Sequence, residues 1–143
     1  MPVSFIQNAS LASGVPSSAK LPSGSVLQVV QTVKSDTFST SSTSYTDITG
    51  LSVSITPTSS SNKILVMYSV TAAAKNNTYA GGIQLFRDST AIYRGDANGS
   101  RTRASSYWWS DANSYTMWPL NGTFLDSPTT TSATTAILIA NNK

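Results

Sequence analysis

The feature that most limits what this chain can fold into is polarity without charge. Nearly a third of its 143 residues are Ser or Thr, only 10% are charged, and the acidic residues are six Asp with no Glu. Surface helices draw their propensity and solubility from Glu, Lys, Ala and Leu, and these are scarce. Thr, Val, Ile and Tyr instead suit the pleated, half-buried surface of a strand. The expected fold is therefore all-β. The length suits one domain with an ordinary core.

The same scarcity narrows the chemistry. The chain has no His and no Cys, so the side chain best placed for proton transfer near neutral pH is missing. So are the usual ligands of catalytic zinc, copper and non-haem iron. Neither disulfides nor thiolate chemistry can contribute. Most nucleophile–base pairs cannot be assembled, and the expectation is a non-enzymatic protein with no cofactor. Asp111 and Asp126 are the carboxylates nearest an aromatic cluster, but 143 residues leave little room for a glycosidase cleft around them.

A net charge of +3 is spread over Lys20, Lys34, Lys63, Lys75 and Lys143, with only Arg101 and Arg103 close together. A nucleic-acid binder would concentrate its basic residues on one face, so no nucleic-acid partner is expected. The longest apolar runs, such as Ile64–Tyr68, fall far short of the ~20 residues of a spanning helix. The N-terminus lacks a basic region followed by an apolar core. Neither membrane insertion nor a secretory signal is expected.

Residues 1–24 differ from the rest. Pro2, Gly14, Pro16, Pro22 and Gly24 punctuate a Ser/Ala-rich stretch without a sustained period, which reads as an extended arm. Phe5, Ile6, Leu11 and Val15 are its apolar exceptions. They serve either as anchors on a neighbour or as packing on the chain's own domain. Residues 25–143 then read as one β domain.

Val26–Val33 is β-rich and apolar on both faces, which predicts a strand interior to a sheet. Leu51, Val53 and Ile55 alternate with hydroxyls and predict a half-buried antiparallel strand closed by Pro57. Lys63–Thr71 is the strongest strand signal, with Ile64, Val66, Tyr68 and Val70 on one face. Gly82–Arg87 and Ala91–Arg94, joined by Asp88-Ser89-Thr90, read as a hairpin. Gly95–Ser106 is a polar loop, and Asp96–Ser100 within it is a turn, since the bidentate Glu of a calcium loop is missing. Tyr107, Trp108, Trp109, Tyr115 and Trp118 crowd the next stretch. Gly122–Asp126 and Ala136–Ala140 complete eight or nine short strands, the spacing of a sandwich or jelly roll.

Several blocks in order carry a family resemblance: Gly24–Gln31, Thr46–Pro57 with the Ser-Ser-Asn-Lys-Ile-Leu-Val strand after it, Gly95–Ser106, and Pro119–Pro128. Across roughly residues 24–135 the chain resembles small β-sandwich virion structural proteins of tailed bacteriophages, including those of cyanobacteria, of tail-fibre or head-decoration type. The resemblance implies a jelly-roll-like antiparallel sandwich and a homotrimer on the virion, on the outer surface of the capsid or on the tail. The major capsid protein or another virion protein would be its partner, with the N-terminal arm as the attachment. It also raises the alternative of a receptor- or glycan-binding tip facing a host surface glycan. In that setting Arg101 and Arg103 are candidates for an acidic partner or for intersubunit pairing with Asp96 or Asp111. Tyr107, Trp108, Trp109, Tyr115 and Trp118 are candidates for a stacking platform, a trimer interface or a packed core. Relatives continue past the Thr-rich turn with further strands, whereas here Ile137–Ala140 comes last, so this strand is expected at an open edge, where either the last strands have been lost or a neighbouring subunit covers it.

Overall fold

The computed structural model describes residues 21–73, 80–109 and 117–142. Within them the chain is all-β, with antiparallel strands in two sheets that form a sandwich. The strands are β1 (Thr46–Ile55), β2 (Ile64–Ala73), β3 (Ala80–Arg87), β4 (Thr90–Tyr93), β5 (Ser106–Trp109), β6 (Met117–Asp126) and β7 (Thr134–Asn142). The larger sheet runs β1-β7-β3, and β4 and β5 share the far edge of β3 in tandem. The smaller sheet is β2 and β6 alone, paired over their full ten residues from Ile64↔Asp126 to Ala73↔Met117. Among the described residues no helix is long and apolar enough to cross a membrane.

The core lies between the sheets. Ile83 and Leu85 of β3, Leu138 and Ala140 of β7, Leu120 of β6, Trp108 of β5 and Ile48 of β1 are its buried members, with Val66, Tyr68, Val70 and Phe124 among those packed against them. The Tyr93 and Phe124 rings stack at 5.2 Å between centroids and join the two sheets. Arg87 of β3 also reaches across: its Nη1 donates to both carboxylate oxygens of Asp126, at 2.8 and 2.7 Å. The hairpin at Asp88-Ser89 forms as its turn residues predict. Asp88 takes the left-handed φ of +52°, which Asp tolerates. Its carboxylate accepts from the Thr135 N–H and the Thr134 hydroxyl, tying the hairpin to the start of β7.

The alternation read from the sequence holds in β1 and β2. Leu51, Val53 and Ile55 are half-buried and the hydroxyls between them exposed, and β2 alternates along its whole length. At Gly50, with φ +83°, β1 bends and its register against β7 shifts between Asp47 and Ser52. A strand of strict period two cannot turn residues three apart to one side. The bulge lets both Ile48 and Leu51 contribute to the core.

Two expectations are corrected. Val26–Val33 is not a strand: residues 21–45 join no sheet, and Val26, Val29 and Val33 are among the most exposed apolar residues described, Val29 at 82%. The segment passes the Gly50 bend, where the Thr32 hydroxyl donates to the Gly50 carbonyl and Lys34 pairs with Asp36 at 2.9 Å. Between residues 26 and 41 no backbone group bonds to another backbone group among the described residues. Strand propensity is present, but a pairing edge is not. The second correction concerns β7, which is not an edge strand. It lies between β1 and β3, hydrogen-bonded to both. Asn141 near its end is 1% exposed; its side-chain oxygen accepts from the Gly82 N–H and its amide donates to the Thr43 carbonyl. Seven strands lie among the described residues.

Candidate interaction surface

The aromatic cluster separates according to strand alternation. β5 places Trp108 inward, 9% exposed and part of the core, and turns Tyr107 and Trp109 outward, Trp109 at 62%. The Trp108 ring lies over Gly81 of β3, where a built Cβ would stand 2.1 Å from Cζ2. Only glycine fits there, a constraint that sequence reasoning missed because it lies between strands. Trp118 sits opposite Ala72 near one end of the β2–β6 pair and is also exposed. Tyr115 and Asp111 lie outside the described residues, as do the arm residues Phe5, Ile6, Leu11 and Val15.

Arg101 and Arg103 are not a matched pair. Asn98 and Arg101 close a turn at Gly99 (φ +56°) through the Arg101 N–H and the Asn98 carbonyl, and Arg101 is exposed. Asp96–Ser100 is accordingly a loop and turn. Arg103 is half-buried: its Nε donates to the Gly95 carbonyl at 2.7 Å, while its own carbonyl accepts from the Tyr45 hydroxyl and the Gln84 side chain. Within one chain, the ion pairs among the described residues are Lys34–Asp36 and Arg87–Asp126. Neither candidate arginine belongs to them. Beside Arg103 an open depression of about 480 Å³, lined by Tyr45, Gln84, Phe86 and Arg94, runs over the outer face of the larger sheet. Burial raises the Tyr45 phenol above its ordinary pKa, so this hydroxyl acts as a donor to the Arg103 carbonyl and not as an anion.

The least ordinary surface is apolar. On the outer face of the small sheet, Leu65 stands directly opposite Leu125, with Met67 beside them at 71% exposure and Met117 toward the other end. Together with Val26, Leu27, Val29, Val30 and Val33, these are nine large apolar side chains left in water. They form two surfaces, whose combined area is on the order of 1,000 Å², the minimum expected of a specific interface. Sequence reasoning assigned Val26–Val33 to the interior and singled out only the Ile64–Val70 face of β2. The apolar alternates Leu65 and Met67 were the available signal for that second face.

The fold and this surface define a class: a small all-β sandwich with an unpaired, apolar N-terminal segment. Comparisons with protein-family models, with curated proteins and with solved structures find no match to the chain.

Proposed function

We propose that this chain is a non-enzymatic structural protein of a tailed-phage virion. In this reading it is a homotrimer that decorates the capsid as a cement or head-spike protein, held on the major capsid protein or another virion protein through residues 1–24. The observation that carries the assembly half is the exposed apolar area of Val26–Val33 and the outer β2–β6 face, which a free monomer would carry at a cost in solubility. The viral setting rests on the resemblance of the ordered sequence blocks. Cryo-EM of the particle should place the domain on the capsid lattice, and deletion of residues 1–20 should abolish particle binding. A truncated protein that still decorates capsids would remove the arm from the proposal.

A second reading is favoured by one observation. Tyr107 and Trp109 point outward from the same strand, the arrangement of an aromatic stacking platform. It assigns the domain to the tip of a tail fibre or spike that binds a host surface glycan. A glycan array separates the two readings: the tip reading requires binding that Trp109→Ala removes, whereas a cement protein binds none of the glycans.

A further inference from the structure

We infer that residues 26–33 of one copy add as a strand to the free edge of β2 in a second copy. The inference rests on the homo-oligomer proposed above and specifies its contact. Four observations meet here.

First, the sandwich is lopsided, with two strands facing five. The inward side chains of β2, Ile64, Val66, Tyr68, Val70 and Ala72, are only half-buried, whereas β6 buries Leu120 and Asp126. Among the described residues no strand pairs with the other edge of β2. Second, the two edges of that sheet differ. β6 carries Pro119, which cannot donate to a ladder, and its Asn121 carbonyl accepts from the Ser106 hydroxyl of β5. β2 has neither Pro nor charge over ten residues. A long, uncharged edge without Pro is a template for pairing, and folded proteins cover it.

Third, residues 26–33 have what this edge needs. They carry no charge, and among the described residues their backbone has no backbone partner. At ~3.3 Å per residue they span ~26 Å against ~33 Å for β2. They are apolar on both faces, which suits a strand that meets the core on one side and Leu65 and Met67 on the other. Fourth, the contact is apolar on both sides: Val26, Leu27, Val29, Val30 and Val33 are exposed on the segment, and Leu65 and Met67 on the acceptor strand. Donor and acceptor are different surfaces of the same chain, so the contact is head-to-tail, and the rotation between successive copies decides whether it closes into a ring. Phe38 packs on the core and the carbonyls of Thr40, Ser42 and Thr43 accept from Asn142 and Asn141, so the chain between the segment and its own domain is only residues 34–37, a reach of ~14 Å.

The test uses two variants of the full chain. Val29→Pro removes a ladder donor from a segment whose backbone has no backbone partner among the described residues, so the monomer should fold unchanged. Leu65→Lys with Met67→Lys charges two exposed positions beside the acceptor edge. By sedimentation and native mass spectrometry each variant alone should associate at least about 100-fold more weakly than the wild type. Mixed, they should form a 1:1 heterodimer, since one supplies an intact edge and the other an intact segment. In the wild-type oligomer, hydrogen exchange at β2 amides should slow, and Val29→Pro should restore fast exchange. Circular dichroism confirms folding before each comparison. A wild-type oligomer that both variants retain, or two folded monomeric variants that do not combine, would overturn the strand addition and leave the proposed assembly standing. A wild type that stays monomeric at high concentration would overturn both.

Discussion

Gly122 offers a sharp test of how the small sheet is built. It lies opposite Tyr68 on the inward face of the β2–β6 pair, and the phenol ring covers it. A built Cβ would stand 2.3 Å from Cζ, 2.4 Å from Cε1 and 2.4 Å from the hydroxyl oxygen of Tyr68. Gly122→Ala must therefore displace the ring, which breaks the 3.0 Å hydrogen bond between Tyr68 and Ser106 that links the sheets. Overpacking costs about 1–3 kcal/mol and the lost hydrogen bond about 1 kcal/mol. Alanine recovers about 0.5 kcal/mol of strand preference over glycine, so the net loss is about 2 kcal/mol. For a chain of this size that lowers Tm by roughly 6–8 °C. The obstruction is entirely Tyr68 side chain, so in a Tyr68→Ala background Gly122→Ala should become neutral or slightly stabilising. The four proteins form a double-mutant cycle with a coupling energy of about 2 kcal/mol, measured by urea unfolding. Equal destabilisation in both backgrounds would refute the stacking argument, as would no effect in either.

Other parts of the fold give further expectations. Asp126→Ala should destabilise by about 2–3 kcal/mol, because it leaves Arg87 partly buried without its carboxylate. The double change Arg87→Met with Asp126→Leu should recover most of that loss, since a buried pair gains little over a well-packed apolar one. Trp108→Ala should cost about 3–5 kcal/mol, whereas Trp109→Ala should stay within about 0.5 kcal/mol in unfolding experiments on the monomer. Burial raises the pKa of both Tyr45 and Tyr68 above the ordinary 10. The unfolded chain therefore loses these protons first as pH rises, so stability is full below about pH 10 and falls above it. Replacing both by Phe should flatten that decline in chemical-denaturation curves between pH 9 and 11, at the loss of the Tyr45–Arg103 and Tyr68–Ser106 hydrogen bonds.

The parts of this fold that local chemistry decides were legible in the sequence. Alternation in Leu51–Ile55 and Lys63–Thr71 assigns faces because one side of each strand meets the core. Asp88-Ser89 marks its turn because Asp tolerates a positive φ. The split between Trp108 and Trp109 follows from period two alone. What sequence could not supply is anything that depends on which strands become neighbours. Gly81 and Gly122 look like ordinary strand glycines until Trp108 and Tyr68 lie across them. β7 looks like the last strand at an edge until β1 and β3 are found on either side of it. Arg101 and Arg103 look paired until a turn at Gly99 separates an exposed side chain from one bound to the Gly95 carbonyl.

Val26–Val33 shows why an unpaired strand-like sequence carries information instead of being merely a misplaced element. A run that is β-rich and apolar on both faces is costly to leave in water, by roughly 1.5–3 kcal/mol for each large side chain that burial would otherwise cover. A single chain has two ways to avoid that cost: pack the run on its own sheets, or change its composition. Here the run keeps its apolar composition, and among the described residues the hydrogen bond that ties it to the sandwich is the Thr32 hydroxyl to the Gly50 carbonyl. The small sheet, meanwhile, ends at a β2 edge without Pro or charge to blunt it. A donor without an acceptor and an acceptor without a donor, in one sequence, are each unfavourable alone. A second copy of the chain satisfies both at once.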